Sequence, residues 1–143
     1  MIRQAIVSDI FEIKSLERDY RASYLRLHDH DVPEAALDFR DAVKKHRLFV
    51  MRMKEIIAFI VCYPDNGVYC IDALHVDYPQ RGRGFARQLL SFAETRAHDT
   101  KCGRIALWID PIMQPHIDFF KSQGFHVVAH HLVQGHERAE FEL

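Results

Sequence analysis

The stretch from Val68 to His98 constrains the fold more than any other, because an apolar, β-rich run passes through Arg81-Gly82-Arg83-Gly84 straight into an amphipathic pattern. After Pro79, two glycines one residue apart let the backbone turn sharply and approach a ligand with no Cβ in the way. The N–H groups that open a helix lack intrahelical partners, and the helix dipole adds partial positive charge, so an anion such as phosphate is favoured there. Arg81, Arg83 and Arg87 reinforce the sign. From Gly84 to His98, Phe85, Leu89, Leu90 and Ala93 fall at helical spacing while Arg87, Glu94, Arg96 and His98 lie largely elsewhere, the pattern of a helix lying on a sheet.

Three phosphate-binding loops compete for this pattern, and two fail on local chemistry. A P-loop needs G-x-x-x-x-G-K-[ST], and the chain has no such string. A dinucleotide fingerprint needs G-x-G-x-x-G with an acidic residue about 20 positions on, and Arg87 stands where its third glycine belongs. The third fits: Arg81-Gly82-Arg83-Gly84-Phe85-Ala86 satisfies [QR]-x-x-G-x-[GA] at every specified position, behind Leu74-His75-Val76-Asp77-Tyr78-Pro79. In this the chain resembles the GCN5-related N-acetyltransferases, whose fourth strand ends in L-x-V-x-x and whose pyrophosphate loop has that pattern. A glycine-containing turn with solvated arginines is the plain alternative.

The remaining segments supply a setting for that loop. Ile2 to Val7 reads as a first strand, and Ser8 followed by Asp9 as an N-cap with an acidic first turn. Ile13, Leu16, Tyr20, Tyr24 and Leu27 then form one helical stripe, interrupted by His28 to Val32. Pro33 opens a second helix, with Ala36, Leu37, Phe39 and Val43 on its buried side and an end near His46. Leu48 to Arg52, Ile56 to Tyr63 and Val68 to Val76 form an antiparallel meander, with Pro64-Asp65-Asn66-Gly67 as a strong turn. Arg104 to Ile109 is a fifth strand, parallel to the fourth because a helix joins them. Pro115 opens a short helix that Gly124 closes, and Phe125 to Val133 with Arg138 to Leu143 make a final hairpin.

The order is thus β-α-α-β-β-β-α-β-α-β-β, a mixed α/β fold, mostly antiparallel with strands four and five parallel. No linker, repeat or low-complexity tract divides the 143 residues, so a single N-acetyltransferase domain over 1–143 is expected. The resemblance covers the whole order, including a short helix ending in x-G-F at Phe119-Phe120-Lys121-Ser122-Gln123-Gly124-Phe125.

A net charge of −1 argues against a nucleic-acid partner, which would need a basic face over much of the surface. With no long apolar run and no basic-then-apolar leader at Met1-Ile2-Arg3-Gln4, the expectation is a cytoplasmic protein with no membrane partner. Cys62, Cys70 and Cys102 lack C-x-x-C spacing and read as small buried residues. The histidines include His28-Asp29-His30-Asp31, His130-His131 and His136, but neither H-x-H in a polar loop nor neighbours on opposite strand faces converge on a metal, so none is expected.

The resemblance implies acetyl-coenzyme A as cosubstrate, wedged between strands four and five. Leu74, His75 and Val76 would give main-chain contacts, with N–H groups near Val76 facing the thioester oxygen where negative charge develops. Arg81, Gly82, Arg83, Gly84, Phe85, Ala86 and Arg87 would hold the pyrophosphate. Direct transfer to a primary amine of a small molecule or peptide needs a base, since alkyl amines are largely ammonium at neutral pH. Candidates are Asp72 within the fourth strand, Asp110 at the end of Leu107-Trp108-Ile109-Asp110, and His75, of opposite strand parity to Asp72. Asp110 is equally suited to a turn before Pro111, and His75 to packing. Phe120 stands where many members carry a coenzyme-contacting Tyr, and Met113 or Gln114 in the region of their usual Asn. Those departures favour the alternative of a non-catalytic acyl-coenzyme A sensor or interaction module. His116 is a nearby substitute donor, and His28 to Asp31 could border the mouth for a cationic amine. The family's frequent dimers extend the expectation to a homodimer.

Overall fold

The computed structural model describes residues 2–28, 37–109, 114–133 and 136–143; of 23, 24, 27, 28, 114, 115, 131–133 and 136–138 it describes the backbone alone. Seven strands form one sheet: β1 (Ile2–Gln4), β2 (Leu48–Arg52), β3 (Ile56–Asp65), β4 (Val68–Val76), β5 (Arg104–Ile109), β6 (His126–Val133) and β7 (His136–Glu142), in the order β1-β2-β3-β4-β5-β7-β6. Among the described residues four helices interrupt them: α1 (Ile10–His28), α2 (Phe39–Lys44), α3 (Phe85–Asp99) and α4 (Gln114–Ser122). The β4–β5 pair is parallel, while β1–β2, β2–β3, β5–β7 and β6–β7 are antiparallel. The expected element order and the parallel pair are therefore those of the structure. The chain forms two compact units, Met1–Val61 with Ala73–Leu89, and Cys62–Asp72 with Leu90–Leu143.

In the first unit the chain entry differs from its sequence reading. β1 stops at Gln4, and Ser8 is not the cap: a 3-10 turn spans Val7–Asp9 with Ile6 at its N-cap, and the Asp9 carboxylate reaches back to accept from the Ile6 amide at 2.8 Å. Arg3 clamps the same carboxylate through both terminal nitrogens, at 2.8 and 2.9 Å. This bidentate pair holds the buried Asp9 carboxyl below the usual carboxylate range, with the Ile6 amide adding to the effect. Glu12, one turn into α1, accepts from Arg52 at 2.7 Å and from the Ile56 amide at 3.1 Å. It thus anchors α1 where the β2–β3 register shifts after Met51.

The apolar stripe of α1 buries Ile10, Ile13 and Leu16 against Phe39 of α2 and Leu48 and Phe59 of the sheet. Each such side chain contributes about 1.5–3 kcal/mol by leaving water. Asp38 caps α2 by accepting from the Asp41 amide at 3.0 Å. Pro33 and Ala36, read as the start of this helix, lie outside the described residues, as do residues 29–32.

In the second unit, β3 and β4 meet through Asn66 and Gly67, both at positive φ (51° and 81°), the two-residue turn whose twist matches a hairpin. The β4–β5 ladder joins Val68 to Arg104 through Ile71 to Leu107, and both strands run on past it. Gly124, at φ 97°, ends the helical turn after α4: its amide reaches Lys121 O and the Phe125 amide reaches Phe120 O, both at 3.0 Å. That paired closure requires a left-handed residue, which glycine adopts without penalty. Phe120, Phe125, Phe141 and Leu107 are buried here. Cys62 and Cys70 are buried as expected, whereas Cys102 is only partly so.

Candidate functional site

The site begins with the peptide between Val76 and Asp77, at the end of β4. The Asp77 amide donates to Ile57 O on β3 at 2.8 Å. In a trans peptide the carbonyl points opposite to the amide, so Val76 O faces away from β3, and Arg81 Nε donates to it there at 3.0 Å. A strand residue presents its N–H and C=O on one side, which aims the Val76 amide the same way. Val76 is buried and Leu74 half-buried.

His75 is half-buried, its ring centroid 5.4 Å from Tyr20 of α1, edge-on, and 5.6 Å from Phe59 of β3. Such packing among aromatic faces orients an imidazole firmly. Neither neighbour was legible from the sequence, because Tyr20 and Phe59 reach β4 only through the packing of α1 and β3.

Beyond Asp77 a 3-10 turn, Tyr78–Gln80, carries Pro79 in its first turn and closes with the Gln80 amide on Asp77 O at 2.9 Å and the Arg81 amide on Tyr78 O at 3.1 Å. The Arg81 guanidinium lies over the Tyr78 ring, 5.5 Å from its centroid. Arg81 is thus turned back onto the strand end by two contacts. Arg83 donates to Gln80 Oε1 at 3.3 Å, and Arg87 is exposed.

Gly82 and Gly84 both have positive φ, 79° and 84°. A Cβ at either would meet nothing within 4 Å, so the dihedral and not crowding demands glycine. The first helical bond of α3 runs from the Gln88 amide to Gly84 O at 3.1 Å, so Gly84 stands just outside the helix and Phe85 is its first residue. The amides of Phe85, Ala86 and Arg87 are therefore the donors that a helix start leaves without intrahelical partners. Buried Leu89, Leu90 and Ala93 fix the helix that aims them. Such a helix start, entered through two left-handed residues and flanked by arginines, has the chemistry to hold a pyrophosphate.

The first unit thus brings together Leu74, His75, Val76 and the loop from Arg81 to Arg87. Asp72 and Phe120 belong to the second unit. Asp72 is exposed and accepts from the Tyr63 hydroxyl at 3.3 Å, so it is partnered within the β3–β4 hairpin. Phe120 is 8% exposed, its ring packed edge-on against Phe119 and Phe125 with centroids 5.2 and 5.5 Å away. His116 is half-buried on α4. Asp110 and Met113 lie outside the described residues. Among the described residues no three His, Cys, Asp or Glu side chains gather as metal ligands, and no helix is long and apolar enough to cross a membrane.

Known proteins share this architecture. Ard1 from Thermoplasma volcanium superposes with a TM-score of 0.83 at 15% identity, over 100% of this chain and 95% of its own. The ribosomal-protein-alanine N-acetyltransferase of Brucella melitensis gives 0.76 at 16% identity, over 100% and 98%. Arabidopsis thaliana Naa50, in complex with the bisubstrate analogue CoA-Ac-MVNAL, gives 0.75 at 16% identity, over 100% and 97%. A comparison with curated proteins gives no match. At such identities the structures speak for the fold, whereas the sequence profile of the acetyltransferase (GNAT) family matches residues 13–125, from the buried stripe of α1 to the residue after Gly124. With most of its length matched, the chain belongs to the acetyltransferase (GNAT) family.

Proposed function

We propose that the protein is an acetyl-coenzyme A-dependent N-acetyltransferase acting by direct transfer to a primary amine of a peptide or small molecule. The observation that carries this reading is the loop geometry: Gly82 and Gly84 at positive φ, opening α3 beside the end of β4. Acetyl-coenzyme A, when bound, supplies an acyl group already activated as a thioester. The amides of the loop and helix start, with Arg83 and Arg87, hold the pyrophosphate, and the backbone of Leu74 to Val76 lies alongside the pantetheine arm. The Val76 amide, turned away from β3, donates to the oxygen on which charge develops as the amine attacks.

The acceptor nitrogen forms a bond to the thioester carbon, the carbon–sulfur bond breaks, and the amine's surplus proton passes to a base or through water. Asp72, Asp110 and His75 are the proposed proton acceptors. The Tyr63 hydroxyl, donating to Asp72 at 3.3 Å, helps to hold that carboxylate in place. Phe120 contributes an apolar wall for the cosubstrate and no proton. A thiol with a pKa of about 8.5 leaves passably as thiolate without an acid. The same residue motivates a second reading, a non-catalytic acyl-coenzyme A sensor, since its ring sits in an aromatic cluster with no hydroxyl to offer. One domain over 1–143, and self-association of the family kind, belong to this proposal.

The test pairs coenzyme binding by calorimetry, for wild type and Gly84→Trp, with thiol release from acetyl-coenzyme A on an amine panel. The panel begins with peptides bearing a free N-terminal amine, because the full-length likenesses include a ribosomal-protein-alanine N-acetyltransferase and a protein in complex with the bisubstrate analogue CoA-Ac-MVNAL. Binding that Gly84→Trp removes, together with amine-dependent release, is expected. Binding without release on any amine would favour the sensor, and no binding by wild type would overturn both readings.

A further inference from the structure

We infer that Arg81 is a positioning residue: its side chain fixes the last peptide of β4, and through it the direction of the Val76 amide. The inference rests on the acetyltransferase reading above and adds to it the means by which loop and strand end are held in register.

The peptide between Val76 and Asp77 is held from both sides. Its N–H is fixed by Ile57 O at 2.8 Å and its C=O by Arg81 Nε at 3.0 Å. Rotation of that plane changes ψ of Val76 and breaks both bonds at once, so the pair of bonds sets the conformation of the residue whose amide faces away from β3. Arg81 itself is pinned at three points: its amide on Tyr78 O at 3.1 Å, its guanidinium over the Tyr78 ring, and its Nε on Val76. The bond uses Nε, the nitrogen within the chain of the side chain, so the positioning contact depends on a donor four bonds from Cα and not on the charged terminal fork. Misplacing a donor by a fraction of an ångström lowers its value at the developing charge more than it lowers binding of the ground state.

The identity of the bonding nitrogen makes the idea testable by side-chain length. Gln places its Nε2 the same number of bonds from Cα as Arg places Nε, so Arg81→Gln keeps the donor and drops the charge. Arg81→Met keeps the length and drops both, while Arg81→Lys keeps the charge but sets its nitrogen one bond farther out. The readouts are kcat and KM on a reactive amine, calorimetric affinity for acetyl-coenzyme A, and amide hydrogen exchange over residues 76–84 without coenzyme.

Arg81→Met is expected to lower kcat by roughly five- to tenfold and to speed exchange over 76–84, with coenzyme affinity within about twofold. Arg81→Gln is expected to stay within about twofold of wild type in all three. The opposite pattern, affinity lost in both Gln and Met and restored by Lys, would overturn the inference and make Arg81 a phosphate ligand. Equal exchange in Met and wild type would overturn it too, by showing no clasp to break. Failure of the wild type to bind acetyl-coenzyme A is a separate result: it removes the acetyltransferase reading and the inference with it, whatever the exchange data show.

Discussion

Around the end of β4, backbone donors stand near the surface among exposed arginines. Around Tyr69 the polar atoms turn inward instead. The Tyr69 hydroxyl donates to Cys62 Sγ at 3.4 Å and accepts from Arg96 Nε at 3.0 Å, with the ring itself fully buried. Burial pushes the Cys62 thiol up to about 11 and raises Tyr69 as well, so both stay neutral. One region satisfies its polar groups internally; the other holds the helix-start amides that the proposed cosubstrate would use. A buried hydrogen bond adds only modestly when made and is costly when half removed, which is why the arrangement at the end of β4, and not that around Tyr69, suits a ligand site.

If that contrast is right, damage to the two regions separates stability from binding. The largest effect belongs to Tyr69→Ala: removing this fully buried ring, with the hydroxyl that joins Cys62 to Arg96, costs about 3–5 kcal/mol of unfolding free energy in urea titration. Gly84→Ala forces a Cβ onto φ 84°, a strain of about 1–3 kcal/mol borne by the loop. Coenzyme affinity measured by calorimetry should fall roughly tenfold or more while the thermal midpoint drops only by the several degrees that such strain costs; a loss of midpoint with unchanged affinity would erase the distinction.

A smaller effect concerns Asp9. Its carboxyl is held below its ordinary value of 3.8, so the folded chain binds fewer protons there than the unfolded one. The stability it contributes is whole above pH about 4 and drains away as pH falls through the lower folded value. Because Arg3 is partly exposed, solvent screening limits this to about 1 kcal/mol, read as the stability slope between pH 5 and 3 that Asp9→Asn should flatten. The least effect on the molecule is a labelling pattern. At pH 8 a thiol reagent should modify the partly exposed Cys102 and leave Cys62 untouched until urea unfolds the chain. Early labelling of Cys62 would mean that the inward network is looser than its geometry implies.

The strands were legible because an apolar run is a local signal: the sequence reading of residues 48–52, 68–76 and 104–109 has the bounds of β2, β4 and β5. The glycines of the loop were legible for the same reason, since positive φ is a property of one residue. What escaped was the choice of partners. The turn starts at Ile6 and not at Ser8 because the Asp9 carboxylate, which Arg3 six residues back clamps with two nitrogens, reaches back to the Ile6 amide. Arg81 counts among the loop's positive charges in sequence, yet its side chain folds back to Val76, a turn that only the 3-10 geometry of Tyr78–Gln80 makes possible. Tyr63 meets Asp72 across the β3–β4 hairpin, whereas Tyr20, which packs on His75 beside Phe59, is brought in by a helix far along the chain.

The β4–β5 ladder has a kinetic consequence. Its first pair, Val68 with Arg104, must close a span of 36 residues (104 − 68), whereas the neighbouring β3–β4 hairpin closes over Asn66 and Gly67 alone. The hairpin can form in microseconds, but the parallel pair must wait for α3 to shorten the distance. The Gly103 amide, bonded to Gly67 O at 3.1 Å, joins the returning chain to that hairpin turn right where the ladder starts. Refolding should therefore be paced by this one junction, and the chain is most exposed to misassociation in the interval before it forms.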